Sequence, residues 1–225
     1  MNFTLRQILS AGALLALTAL LAAGLLTGVK ELTAGRIAEA ERQAQLRALA
    51  AVLPRDRYDN DPLADAITVR APAWLGSDTP LPVWRARRDG TETQLVLRAL
   101  APDGYSGSIA LLIGIGRDGR LAGVRVIDHR ETPGLGDAIE AEKSDWIDRF
   151  IGRGLGDPPP ERWAVRKDGG DFDAFAGATI TPRAVIAAVH RALAFVEKHG
   201  DTLYAAAAGA ELRFDDAPDT PRRPR

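Results

Sequence analysis

Asp171-Phe172-Asp173-Ala174-Phe175-Ala176-Gly177-Ala178-Thr179-Ile180-Thr181-Pro182-Arg183 leads from an acidic, aromatic loop into the best-patterned helix of the chain. Thr181 suits an N-cap and Pro182 the first helical position, where no backbone N–H is needed. Val185, Ala188, Val189, Ala192, Phe195 and Val196 then form one apolar stripe, and Gly200 stands as a stop, which predicts a helix from Pro182 to about His199. The hydroxyl of Thr179 therefore sits just ahead of a helix N-terminus. Ala176, Gly177 and Ala178 leave the backbone beside it uncovered. Unpaired N–H groups, the positive end of the helix dipole and Arg183 in the first turn favour an anion such as phosphate. On these grounds alone, a helix start after a tight glycine turn accounts for the same residues.

Upstream lies the sheet. Gln94–Ala99, Ser108–Gly114 and Leu121–Ile127 are rich in Val, Ile and Leu and bounded by turn residues, as strands are. Gly114-Ile115-Gly116-Arg117-Asp118-Gly119 fits the dinucleotide pattern G-x-G-x-x-G, but that pattern must open a helix, and here another strand follows. Asp118-Gly119 reads as a hairpin turn. His129-Arg130-Glu131-Thr132-Pro133-Gly134-Leu135-Gly136-Asp137 follows the last strand as a rigid turn with exposed backbone, able to lie against a flat ring; a plain strand-to-helix connection is the simpler alternative. Ile139, Trp146, Ile147 and Phe150 predict a helix over 137–150, Trp163–Arg166 a further strand, and Lys167-Asp168-Gly169-Gly170 a turn. Arg55–Gly90, interrupted by four prolines, reads as short strands and turns.

At the other end, no charged residue occurs from Ile8 to Val29, and these 22 residues reach about 33 Å as a helix, enough for a bilayer core. A cleaved signal peptide is the competing reading, but the apolar run exceeds the usual core of one. Leu32, Ala40, Ala44, Ala48, Leu49, Val52 and Leu53 continue a helical pattern to Pro54 as a stalk or a partner-binding helix. The expected division is an anchor over 1–30, a stalk over 31–54, a domain over 55–200 and a largely disordered extension over 201–225, with Asp215–Arg225 the least structured. The fold class is α+β: one transmembrane helix, then a single domain with an antiparallel sheet and flanking helices.

Composition removes several functions. Lys and Arg number 29 against 30 acids, for a net charge of −1, and no basic face suggests nucleic acid. Without cysteine there are no disulfides, thiolate metal sites or Cys-ligated clusters, so redox chemistry needs a borrowed cofactor. The three histidines are not spaced as ligands, which indicates no metal site, and no nucleophile elbow marks a hydrolase.

Asp173, Gly177, Ala178, Thr179 and Thr181 match the Asp-x-x-Ser/Thr-Gly-Ala-Thr-x-Ser/Thr motif, and the chain resembles the FMN-binding domain family. Ala176 departs from it, standing where Ser or Thr is usual. His129–Gly136 resembles the His-x-Glu-Thr-Pro-Gly-Leu-Gly stretch of the same family. With the anchor, the order and spacing are similar to the G subunits of Rnf (Rsx) electron-transport complexes. The resemblance implies FMN joined to Thr179 by a phosphoester, with Gly177, Ala178, Thr181, Arg183, Glu131, Thr132, Gly134 and Leu135 around the cofactor and no independent catalytic residue. It implies maturation by a flavin transferase that takes FAD as donor and reads Asp173. It also implies a redox subunit of an ion-translocating complex moving electrons between ferredoxin and NAD, among other membrane and redox subunits, in a bacterial inner membrane. Lys30, Arg36, Arg42 and Arg47 beyond the anchor favour a cytoplasmic domain by count, yet the resemblance implies a periplasmic one. The C subunit of the sodium-pumping NADH:quinone reductase shares the motif and is an alternative, as is a tethered scaffold without flavin.

Overall fold

The computed structural model describes residues 2–218 and divides the chain into two units, residues 1–46 and 47–225. The first unit is the body of helix α1 (Asn2–Ala50). From Gly12 onward, α1 is long and apolar enough to cross a membrane. Leu14, Leu15, Leu17, Leu20, Leu21, Leu25 and Leu26 are all exposed, the mark of a helix whose surroundings are themselves apolar. Two of its hydroxyls are satisfied within the helix: Ser10 donates to the Gln7 carbonyl at 3.0 Å and Thr18 to that of Leu15 at 2.9 Å.

In the second unit the strands are β1 (Ala66–Arg70), β2 (Leu81–Arg88), β3 (Thr91–Ala101), β4 (Ile109–Gly116), β5 (Leu121–Asp128) and β6 (Glu211–Arg213). They form one sheet of order β5-β4-β3-β2-β1-β6, antiparallel except for the β1–β6 pair. The α+β reading holds, and the rejected dinucleotide site is indeed a hairpin, with Gly119 at φ +75° between β4 and β5. Between β1 and β2 lies the one-turn helix α2 (Pro72–Leu75).

Alternation along β3 and β4 sorts the two faces. Leu95, Leu97, Ala99, Ile109, Leu111, Ile113 and Ile115 point into the main core under helix α3 (Ile180–Ala205), whose Val185, Val189, Ala192 and Phe195 are buried. On the opposite face Val96 and Leu112 meet Leu49, Val52 and Leu53, the segment in which α1 ends. Gly114 and Gly123, paired across β4 and β5, leave room for that segment. A Cβ on Gly123 would come within 3.3 Å of the Ala51 carbonyl oxygen and of Val52 Cα, and Gln94 Nε2 donates to the Val52 carbonyl at 2.6 Å.

Several elements differ from the sequence reading. The expected helix over 137–150 is two short 3-10 pieces, Gly136–Ile139 and Trp146–Phe150. Ser144 interrupts it, because its hydroxyl donates to the Ala138 carbonyl at 2.6 Å and accepts the Trp146 N–H, replacing helical hydrogen bonds. The strand expected over 163–166 is a single bridge, Val165 to Phe172, between the 3-10 turns Pro160–Arg162 and Arg166–Asp168. Helix α3 starts earlier than expected and passes Gly200 to Ala205. Its last carbonyls are claimed by β2: the Arg85 guanidinium, 1 % exposed, donates to those of Leu203 at 3.2 Å, Tyr204 at 3.1 Å and Ala206 while pairing with Asp65.

The unstructured extension expected from residue 201 meets a different arrangement over its described part. β6 extends the sheet, Phe214 packs on Phe195 and His199, and Asp216 accepts from Lys198 at 2.7 Å and from Trp74 Nε1 at 3.3 Å. These contacts hold the Asp216 carboxyl down at about 2. The expectation of disorder over 219–225 lies outside the described residues.

Candidate functional site

Aromatic anchors shape the approach to α3. Phe172 is buried against Phe150, ring centroids 4.7 Å apart, and Phe175 meets the edge of Trp146, whose Nε1 donates to the Asp173 carbonyl at 2.8 Å. The acids on either side of Phe172 turn outward to arginines: Asp171 to Arg162, and Asp173 to Arg166 at 3.2 Å and Arg149 at 3.6 Å. The chain then turns at Phe175–Ala178, where the Ala178 N–H reaches the Phe175 carbonyl at 3.1 Å and Gly177 takes φ +78°. A side chain on Gly177 would find space, its nearest neighbour being Leu135 Cδ2 at 3.6 Å, so glycine answers here to the backbone angle.

Thr179, not Thr181, is the N-cap of α3, and its side chain makes no capping hydrogen bond. The hydroxyl is thus not occupied by the helix. Pro182 falls two positions further in than expected but still within the first turn, where its missing N–H has no intrahelical acceptor to lose. Thr181, released from capping, is buried and donates its hydroxyl to Glu131.

Glu131 is the tie between three loops. Its carboxylate, on a residue only 4 % exposed, accepts the Thr181 hydroxyl from α3 and the Ser106 N–H from the β3–β4 loop at 3.0 Å. Two glycines bracket it closely. A Cβ on Gly136 would lie 2.8 Å from Glu131 Oε2 and 2.9 Å from Thr181 Oγ1, and one on Gly104 would lie 3.0 Å from Glu131 Oε1. The Glu131 N–H donates to His129 Nδ1 at 3.0 Å, which leaves the ring proton on Nε2, directed at Glu140 Oε1 2.9 Å away. Lys143 closes the network on Glu140 at 2.7 Å and Asp137 at 2.8 Å, and this pairing lowers both carboxyl pKa values below their ordinary range. Between buried Glu131 and Gly136, the segment Thr132–Leu135 is exposed, turning with Gly134 at φ +78°.

The two loops and the helix start enclose a cleft of about 350 Å³ lined by Tyr105, Glu131, Thr132, Leu135, Gly136, Gly177, Ala178, Thr179, Ile180 and Thr181. Glu131, Thr132 and Leu135 thus meet Gly177, Ala178, Thr179 and Thr181 at one place, although about 50 residues separate the segments. Three expected residues stand apart. Gly134 shapes the turn without lining the cleft. Asp173 is held among arginines. Arg183 points away, its guanidinium held by Asp168 through two hydrogen bonds of 2.6 and 2.7 Å that lower the Asp168 pKa and raise its own.

Tyr105, 68 % exposed, and Ile180 complete the apolar rim and were not foreseen. The only sequence signal for Tyr105 was an aromatic among the small residues Gly104, Ser106 and Gly107 of a hairpin loop. The volume is at the lower end for cofactor sites. Open helix N–H groups, a free hydroxyl and an apolar rim together suit a phosphorylated, flat-ringed ligand such as FMN with much of its ring exposed.

Comparisons agree with that chemistry. A sequence model of the FMN-binding domain matches residues 104–194, a span that holds both motif loops, and a model of the RnfG N-terminal region matches residues 1–52. The G subunit of an ion-translocating oxidoreductase complex from Pseudomonas aeruginosa is 52% identical over 202 residues, 90% of this chain and 94% of the relative. Proteins of the same name from Shewanella baltica and Aliivibrio fischeri are 40% and 42% identical over 91% and 84% of this chain, and 96% and 90% of their own lengths.

Proposed function

We propose, from the premise that this chain belongs to the family of G subunits of ion-translocating oxidoreductase complexes, that it carries FMN joined through a phosphoester to Thr179. The carrying observation is the Thr179 hydroxyl itself: uncapped, half-buried at the cleft, and flanked by Gly177 and Ala178, which leave room for a phosphoryl group. In forming the ester, the Thr179 oxygen bonds to the FMN phosphorus of FAD, the pyrophosphate bond breaks, AMP leaves, and the hydroxyl proton passes to a base of the transferase.

FMN supplies one- and two-electron chemistry, and the chain supplies tether, cover and field. Gly177 sets the turn that presents Thr179. Glu131 and Thr181 fix the helix start against the loop shaped by Gly134, whose Thr132 and Leu135 would hold the ring. Asp173, at the surface among Arg149 and Arg166, is read by the transferase. A shallow site gives quick electron exchange with neighbours, and a covalent tether keeps the cofactor from leaving.

In this reading α1 spans a bacterial inner membrane and the FMN-binding domain lies in the periplasm. The protein serves as one redox subunit of a complex that couples electron flow between ferredoxin and NAD to ion transport, with other membrane and redox subunits as partners. Co-expression with a flavin transferase, followed by a denaturing gel, tests the attachment. The native chain is expected to fluoresce as a flavoprotein and Thr179→Ala to be dark; a fluorescent Thr179→Ala chain contradicts the reading.

A further inference from the structure

We infer that the cleft is built to hold FMN as a phosphodiester and to discriminate against the free nucleotide, with Glu131 and Asp168 as the residues that set this preference. The inference rests on Thr179 as the attachment residue. A helix start with an arginine in its first turns ordinarily attracts a phosphate. Here a carboxylate of the same chain stands against each attraction, Glu131 beside the helix start and Asp168 on the arginine.

At the start of α3, Glu131 already lines the cleft that an incoming anion would enter. It is nearly fully buried and receives the hydroxyl of Thr181, the second residue of the helix. Arg183 follows Thr179 by four residues and so lies on its face of the helix, yet its guanidinium is gripped by both oxygens of Asp168. A guanidinium held in this bidentate way has its fork filled. Among the ten residues lining the cleft there is no Lys, Arg or His, and the one ionisable carboxylate is Glu131.

A phosphomonoester carries about −1.5 to −2 at neutral pH, whereas the diester on Thr179 keeps a single negative charge. The second charge of free FMN faces Glu131 with no cation to offset it. Retention therefore falls to the covalent bond, and the unmodified chain does not collect FMN or other phosphate esters from its surroundings before maturation. The diester suffers less from the same field and keeps the open N–H groups of the helix start.

The test uses full-length chain, purified in detergent from cells without a flavin transferase and titrated with riboflavin and with FMN by fluorescence. The native chain is expected to bind FMN no more tightly than riboflavin, including the case in which neither binds measurably. Glu131→Gln keeps an acceptor for Ser106 and an amide for Thr181 while removing the charge; Asp168→Asn frees Arg183 at an exposed pair. Each is expected to raise FMN affinity relative to riboflavin by about fivefold, and the gain should fade with added salt.

A native chain that prefers FMN tenfold, or an unchanged ratio in both variants, overturns the inference. Thermal melts identify a variant that fails to fold, and if Glu131→Gln does so, Asp168→Asn decides alone. The attachment reading fails separately: a matured chain without flavin on Thr179 refutes that reading, whereas a correctly matured chain whose unmodified form grips FMN refutes only this inference.

Discussion

The two ends of α3 use the same physics for opposite purposes. At the C-terminal end the carbonyls of Leu203, Tyr204 and Ala206 are closed off by Arg85, a side chain almost without solvent contact and itself paired with Asp65. At the N-terminal end the cap residue, Thr179, makes no capping bond, the residues just before it are small, and a cleft opens in front of it. A helix must satisfy or expose its terminal groups. Here one end is sealed for stability and the other is left open for a ligand. The lesson is that an uncapped hydroxyl at a well-formed helix start is a feature to explain by chemistry, since the same helix shows how completely an end can be satisfied.

The sealed end should carry the larger stability effect. Arg85→Ala would leave Asp65 and the terminal carbonyls of α3 without their donor, and the expected loss is about 3 kcal/mol or more, measured by denaturant unfolding. A loss below about 1 kcal/mol would show that water or Arg87 replaces it and that the two ends are less different than they look.

At the open end, Gly136→Ala forces a methyl against Glu131 and Thr181 and is expected to cost about 1–3 kcal/mol, with flavin loading reduced in the same preparation. Thr181→Val removes the hydroxyl that Glu131 accepts and should cost about 1–2 kcal/mol; an unchanged melt would mean that the tie between the loops does not act as a unit.

Much of this was legible in the sequence. β3, β4 and β5 are marked by runs rich in Val, Ile and Leu between turn residues, and the apolar stripe of α3 by its period. Both motif loops were visible as composition, since glycines and prolines at a site reflect backbone angles that are local. What depended on distant partners was not legible. Arg183 looks like a phosphate ligand when its charge is read alone, and its partner Asp168 lies fifteen residues away across a turn. Thr181 looks like a cap until Glu131, fifty residues upstream, is seen to take its hydroxyl. Arg85 carried no mark of burial among the basic residues of β2. Ile139, Trp146, Ile147 and Phe150 are buried as expected, but two 3-10 turns bury them as well as one helix would.

The smallest effect concerns the segment after α3. Asp216 lies below its ordinary 3.8, at about 2, chiefly through Lys198. A depressed carboxyl contributes stability above its unfolded pKa and loses it as pH falls through the folded one. The contact should therefore be intact above about pH 4 and lost toward about pH 2, reported by Trp74 fluorescence through its bond to Asp216. Asp216→Asn should flatten that titration; a native chain with no change over this range would detach the segment from the account.

The most direct measurement of the central claim is the intact mass, with fragment localisation, of the full-length chain matured by a flavin transferase. The account predicts one FMN phosphoryl addition, found on Thr179 and missing from Thr179→Ala. An unmodified native chain, or an addition at another residue, would contradict it.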